Sequence, residues 1–90
     1  MNRFRIKDTF ELRSRNFFVL VGDISEGVIA VGMDVLIDRS HERTLKVMAV
    51  EFIDHISKKR ADVGLCLSIE VVKSLGLDNT DAWGQEVICS

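Results

Sequence analysis

Between residues 3 and 13 apolar and polar side chains alternate. Phe4, Ile6, Phe10 and Leu12 take the even positions, and Arg3, Arg5, Lys7, Glu11 and Arg13 the odd ones. A period of two is that of a β-strand with one buried and one wet face. Ser14-Arg15-Asn16 reads as a turn. Residues 17–24 follow as a nearly continuous apolar run. Phe18, Leu20 and Ile24 share one face of it, and Phe17, Val19 and Val21 the other. A strand that is apolar on both faces is covered on both. Gly22, Gly27 and Gly32 recur at equal intervals, and Ser25-Glu26-Gly27 reads as a hairpin tip. Residues 28–31 are a short apolar link, and residues 33–38 a strand with Met33, Val35 and Ile37 on one side.

The polar stretch 39–43 predicts a loop. The β-rich run 44–56 predicts a long strand or hairpin, and Ser57-Lys58-Lys59-Arg60 a basic turn. Residues 61–69 alternate again, with Val63, Leu65, Leu67 and Ile69 inward and Asp62, Gly64, Cys66 and Ser68 opposite. Val71, Val72 and Leu75 break that period and suit one helical turn over 70–75, with Gly76 as its stop. Trp83 follows a polar turn and anchors a lid. Val87 and Ile88 lie in a last short strand. Six to seven short strands with glycine turns predict an all-β fold, a small closed or nearly closed β-barrel or a sandwich.

Composition narrows the picture. The chain has 90 residues, 47% of them hydrophobic, with no proline. That is one globular domain over 1–90, not a disordered chain, and closure into a barrel removes the sheet edges that proline does not guard. The formal net charge of −2 argues against bulk nucleic-acid binding. Charge is sorted by segment, however. Residues 1–15 carry +3, residues 16–38 −4, residues 39–60 +3 and residues 61–90 −4. Two cysteines, no signal-like apolar stretch and no run long enough to span a membrane predict a cytoplasmic protein with reduced thiols.

The order and spacing of these motifs resemble the second-domain β-barrel of translational GTPases such as elongation factor Tu. The matching residues are Phe4, Ile6, Asp8 and Phe10; Gly22, Gly27 and Gly32; Val35 and Ile37; Val50 and Glu51; Ala61, Val63, Gly64 and Leu67; and Gly84, Val87 and Ile88. The resemblance covers nearly the whole chain and implies the barrel. It implies a tRNA-facing surface at Asp8, Leu12, Arg15 and Glu51. The family's Gly-Arg-Gly turn is here Ser14-Arg15-Asn16, and its threonine before the first hairpin glycine is Val21. The GTPase domain is lacking from these residues, and a shared fold does not carry the function with it.

The chemistry-bearing residues point to binding rather than catalysis. Gly27 to Gly32 imitates the start of a phosphate loop, but Met33-Asp34 stands where Lys-Ser/Thr is required, so no nucleotide is expected. His41 and His55 lack zinc-ligand spacing, so no metal or other cofactor is expected. No serine or cysteine sits in a nucleophile motif, so the chain is read as a non-enzyme. Cys66, on the polar face of its strand, is either an exposed thiol or a small apolar filler. Two surfaces remain. Phe17, Val19 and Val21 form a candidate protein or homo-oligomer face, unless residues 70–83 fold back over it. Arg3, Arg5, Arg13, Arg15, Lys58, Lys59 and Arg60 form a candidate nucleic-acid surface. The expected function is a non-catalytic binding module for a protein partner or a second copy; the alternative is an RNA-binding accessory factor related to translation.

Overall fold

The computed structural model of the chain describes residues 2–36, 44–55, 60–77, 83 and 86–90. Seven strands and one short helix follow in the order β1 (Asn2–Leu12), β2 (Phe17–Glu26), β3 (Asp34–Leu36), β4 (Thr44–Lys46), β5 (Ala49–His55), β6 (Arg60–Ser68), α1 (Ile69–Ser74) and β7 (Glu86–Cys89). All pairings are antiparallel, in one sheet of order β4-β3-β7-β1-β2-β6-β5. The fold class is therefore all-β. Among the described residues the ladder has two ends, β4 and β5, and strand pairing does not close it.

The two end strands are consecutive in the chain. Val47 and Met48 join them. The Val47 amide donates to the Met33 carbonyl, the Met48 amide to the Cys66 carbonyl, and the Val47 carbonyl accepts from Gly32. The long run at 44–56 is thus two strands with a break, each serving a different neighbour.

The glycine-spaced segment does not form the expected hairpin. β2 lies between β1 and β6, whereas β3 pairs with β4 and β7. The physical reason is that β1 occupies one edge of β2 over its whole length and β6 the other over Phe17–Gly22. Gly27, at φ +73°, therefore turns the chain away from the sheet rather than back along it.

β1 departs from its own alternation. Its register on β2 slips between Ile6 and Asp8, so Lys7 is an extra residue. Phe4 and Ile6 belong to the main core, but Phe10 opposes Val19 and Leu12 opposes Phe17 on the other side of the sheet. One inserted residue moves every later side chain to the opposite face. Gly22 makes the slip sterically feasible. A Cβ there would overlap the carbonyl oxygen of Arg5 and lie 2.9 Å from its carbon. Nearby, Lys7 Nζ lies 3.0 Å from both Asp23 Oδ2 and Asp62 Oδ1, balancing the one buried charged residue among those described.

The main core gathers Phe4, Phe18, Leu20, Leu65 and Leu67 from the central strands, with Val35, Leu45 and Val47 beside them. Val72 and Trp83 cover it from above. α1 places Ile69 and Val72 three apart on one buried face. Glu70 in its first turn and Lys73 in its last complement the helix dipole. It stops in a Schellman arrangement. Gly76, at φ +71°, donates to the Lys73 carbonyl and Leu77 to that of Val72. The Trp83 ring stacks on Phe18 at 6.2 Å between centroids, and its Nε1 donates to the Leu77 carbonyl at 2.7 Å. Residues 70–83 thus contain a lid, but it covers the Phe18 face. The alternative that they cover Phe17, Val19 and Val21 is corrected here: Ile69, Val72 and Leu77 present their apolar side to the main core.

Candidate functional site

The opposite face of the sheet carries a second, smaller apolar cluster. Val19, Val21 and Cys66 form it, with Leu12, Phe17 and Ala49 packed against them. Its layout follows from register. Phe10, Val19, Cys66 and Ala49 stand opposite one another across β1, β2, β6 and β5. Four neighbouring strands make this row roughly 14 Å wide. The next row on one side is Leu12, Phe17 and Ser68, and on the other Asp8, Val21, Gly64 and Glu51.

The candidate face Phe17, Val19 and Val21 is thus brought together on one side of the sheet. Its members are not equally available. Val19 is 2% exposed and Val21 is buried, while Phe17 is half-buried and Phe10 is 43% exposed. The valines form the floor, and Phe10, Leu12 and Phe17 provide the accessible apolar surface. Phe10 and Leu12 escape sequence reasoning because their even numbering groups them with Phe4 and Ile6. The signal that points to them is the second apolar face of β2, which requires apolar cross-strand neighbours.

Cys66 is a filler and not an exposed thiol. It is 2% exposed, between Val19 and Ala49. Burial pushes its pKa up, and the Glu51 carboxylate adds to this against an opposing effect of Arg15. Thiolate chemistry is correspondingly suppressed. Cys89, in the main core, is likewise free, and burial pushes it up to about 11.

Charged groups border the apolar row. Arg15 Nη1 lies 3.8 Å from Glu51 Oε1, both side chains being more than half exposed. Asn16, at φ +58°, ends the 3₁₀ turn Arg13–Arg15. Beside that turn is a cleft of about 240 Å³ whose lining includes Arg15, Phe17, Met48 and Glu70. Asp8, Leu12, Arg15 and Glu51 border or share this side of the sheet.

Among the described candidate basic residues, Arg3 and Arg5 lie apart from Arg13 and Arg15. Arg3 and Arg5 start β1, whereas Arg13 and Arg15 follow its other end. Ten residues of extended chain put Arg3 roughly 30 Å from Arg13. Arg3 Nε is 3.3 Å from Glu26 Oε2, and Arg13 Nε is 3.2 Å from Glu11 Oε2. Arg5 is exposed. Arg60 begins β6, opposite His55 of β5. Lys58, Lys59 and His41 lie outside the described residues, as do the side chains of Arg60 and His55.

Among the described residues no group of three or more His, Cys, Asp or Glu side chains could hold a metal ion. No helix among them is long and apolar enough to cross a membrane. Comparison with protein-family models, with curated proteins and with solved structures returned no match.

Proposed function

We propose that the chain is a non-catalytic interaction module that presents the Phe10, Leu12 and Phe17 side of its sheet to a protein partner. The observation that carries this reading is the second apolar face. A small sheet with a lid on one side ordinarily turns a polar side to water. Here the far side has an apolar floor of Val19, Val21 and Cys66, an aromatic at 43% exposure and a charged border. Apolar centre and polar rim are the anatomy of a protein-binding surface.

The proposal includes the barrel of translation-factor second-domain type. It is supported by the continuity of β4 into β5 and by the amides of Val47 and Met48, which bond to strands or links on opposite sides. The RNA-binding reading has less support, because the basic residues divide between two ends of β1 and three of them face carboxylates.

A tagged chain and its Phe10→Lys/Phe17→Lys variant, captured from the source cells and analysed for protein and RNA, test the proposal. Both baits are first checked for equal thermal unfolding midpoints. The expected result is a stoichiometric protein held by the wild-type bait and lost from the variant. Identical captures from both baits, or RNA alone on both, overturn it.

A further inference from the structure

The outer edges of the sheet are not alike. β4 ends the order on one side but is only three residues long and carries Lys46. β1 beyond Arg5 has no strand on its second side among the described residues. That half-edge contains the Lys7 bulge and the charges of Asp8, Glu11 and Arg13. Short length, bulges and charges are the ordinary guards of a sheet edge. β5 ends the order on the other side with seven residues, Ala49–His55. Among the described residues it pairs only with β6, in an unbroken register. It has no lysine, no proline and no bulge, and its charges are the two carboxylates Glu51 and Asp54. Its middle residue, Phe52, is 76% exposed, the most exposed large apolar side chain described.

Phe52 also stands at the end of a core row. Ile6, Gly22, Val63 and Phe52 are opposed across four strands, with Ile6 in the main core and Val63 packed against it. The core face of the sheet therefore runs out into solvent at this ring.

We propose that β5 pairs edge to edge with β5 of a second copy, antiparallel about a two-fold axis through Phe52. The proposal rests on the reading of the chain as an interaction module but uses a different surface. The unpaired amides and carbonyls of a seven-residue edge recognise another strand. Self-complementarity selects the second copy. Phe52 is the midpoint of Ala49–His55, so an antiparallel copy centred there overlaps all seven residues. In that register Phe52 opposes Phe52, Glu51 opposes Ile53, Val50 opposes Asp54 and Ala49 opposes His55. No like charges stand directly opposite, and an aromatic pair sits on the axis. A slide of two residues either way shortens the overlap to five residues, and one of the two also sets Glu51 against Glu51. A single-residue slide pairs core-side with outward positions and is excluded by the pleat. A two-fold contact of this kind is isologous and closes at the dimer.

The test is sedimentation equilibrium of the whole chain with two variants. The wild type is expected to approach twice its 10.2 kDa mass at tens of micromolar protein. Phe52→Lys installs a charged edge guard on an exposed site, leaves the unfolding midpoint near that of wild type and raises the dimer dissociation constant by about tenfold or more. Phe52→Cys brings two thiols to the axis and is expected to give a covalent dimer with a short bis-maleimide. Val28→Cys, also well exposed but distant from the edge, does not. A wild-type monomer at about 100 micromolar, or a dimer indifferent to Phe52→Lys and not captured through Phe52→Cys, overturns the proposal. A dimer dissolved by Phe10→Lys/Phe17→Lys instead assigns self-association to the other face, refuting this inference while supporting the reading it rests on.

Discussion

Replacing Gly22 with alanine isolates the close approach that lets β1 change faces. The φ of Gly22 lies outside the left-handed region, so alanine is conformationally permitted there. On that ground alone the substitution would stabilise by about 0.4–1 kcal/mol through the unfolded chain. Sterics reverse the sign. The new Cβ would overlap the Arg5 carbonyl oxygen and lie 2.9 Å from the Arg5 carbon and 3.3 Å from Ile6 Cα. All three are backbone atoms of the paired strand, so no rotamer relieves them. β1 must move away, at an overpacking cost of about 1–3 kcal/mol. One or two ladder bonds beside the bulge weaken as well, at about 0.5–1.5 kcal/mol each. A net loss of about 2–4 kcal/mol is large against the roughly 5–13 kcal/mol expected of 90 residues. The midpoint of thermal unfolding, followed by circular dichroism, is expected to fall by about 10–25 °C. Gly32→Ala is the matched control. It meets nothing within 4 Å and suffers only the strain of its φ of +94°, about 1–2 kcal/mol. A Gly22→Ala midpoint at or above wild type would refute the close approach and with it the register slip at Lys7.

Two further outcomes concern the core. Trp83→Phe retains a ring against Phe18 but removes the donor to the Leu77 carbonyl; it is expected to cost about 1–3 kcal/mol in urea unfolding, and no change would show that the lid is not held by that bond. Cys89 gives the chain an alkaline limb. Its folded pKa, about 11, is raised above the ordinary thiol value of 9.0, so the unfolded chain ionises first. Stability from this source is full below pH 9 and declines as pH rises towards about 11. Cys89→Ala is expected to flatten that limb, whatever it does to stability at neutral pH, and an unchanged slope would count against the buried thiol.

Much of the secondary structure is legible from period and punctuation. Alternation marks β1 and β6, the break in period marks α1, and Gly76 marks its end. The two-sided apolar character of β2 identifies a covered strand before any neighbour is known. What escapes is not propensity but pairing. Lys7 itself fits a polar slot, and the one trace of its bulge is Asp8, a polar residue on an even position within the run Lys7-Asp8-Thr9. Phe10 and Leu12 are consequently assigned to the wrong layer, and half of the candidate face is missed. The equal spacing of Gly22, Gly27 and Gly32 suggests one hairpin, yet the three glycines serve different ends. Gly22 admits a neighbouring backbone, whereas Gly27 and Gly32 adopt positive φ at the limits of a connection. The face Asp62, Gly64, Cys66 and Ser68 looks wet because its residues are small or polar. Small residues are also what lets Val19 and Val21 lie flush against a neighbouring strand, and only the register distinguishes the two meanings.

The place of β7 in the sheet has a consequence for the order in which the molecule can be built. It is the last of the described strands in the sequence, yet it stands between β3 and β1 and, among the described residues, is the sole link between the β3–β4 pair and the other four strands in the ladder. Asn2 Nδ2 donates to the Cys89 carbonyl across 87 residues of chain. On a ribosome β1, β2, β6 and β5 can assemble as soon as β6 emerges, while β3 and β4 wait without their second neighbour. Completion is therefore a late event set by translation, and a pause before residue 86 would hold the nascent chain with one half of its sheet formed and the other undocked.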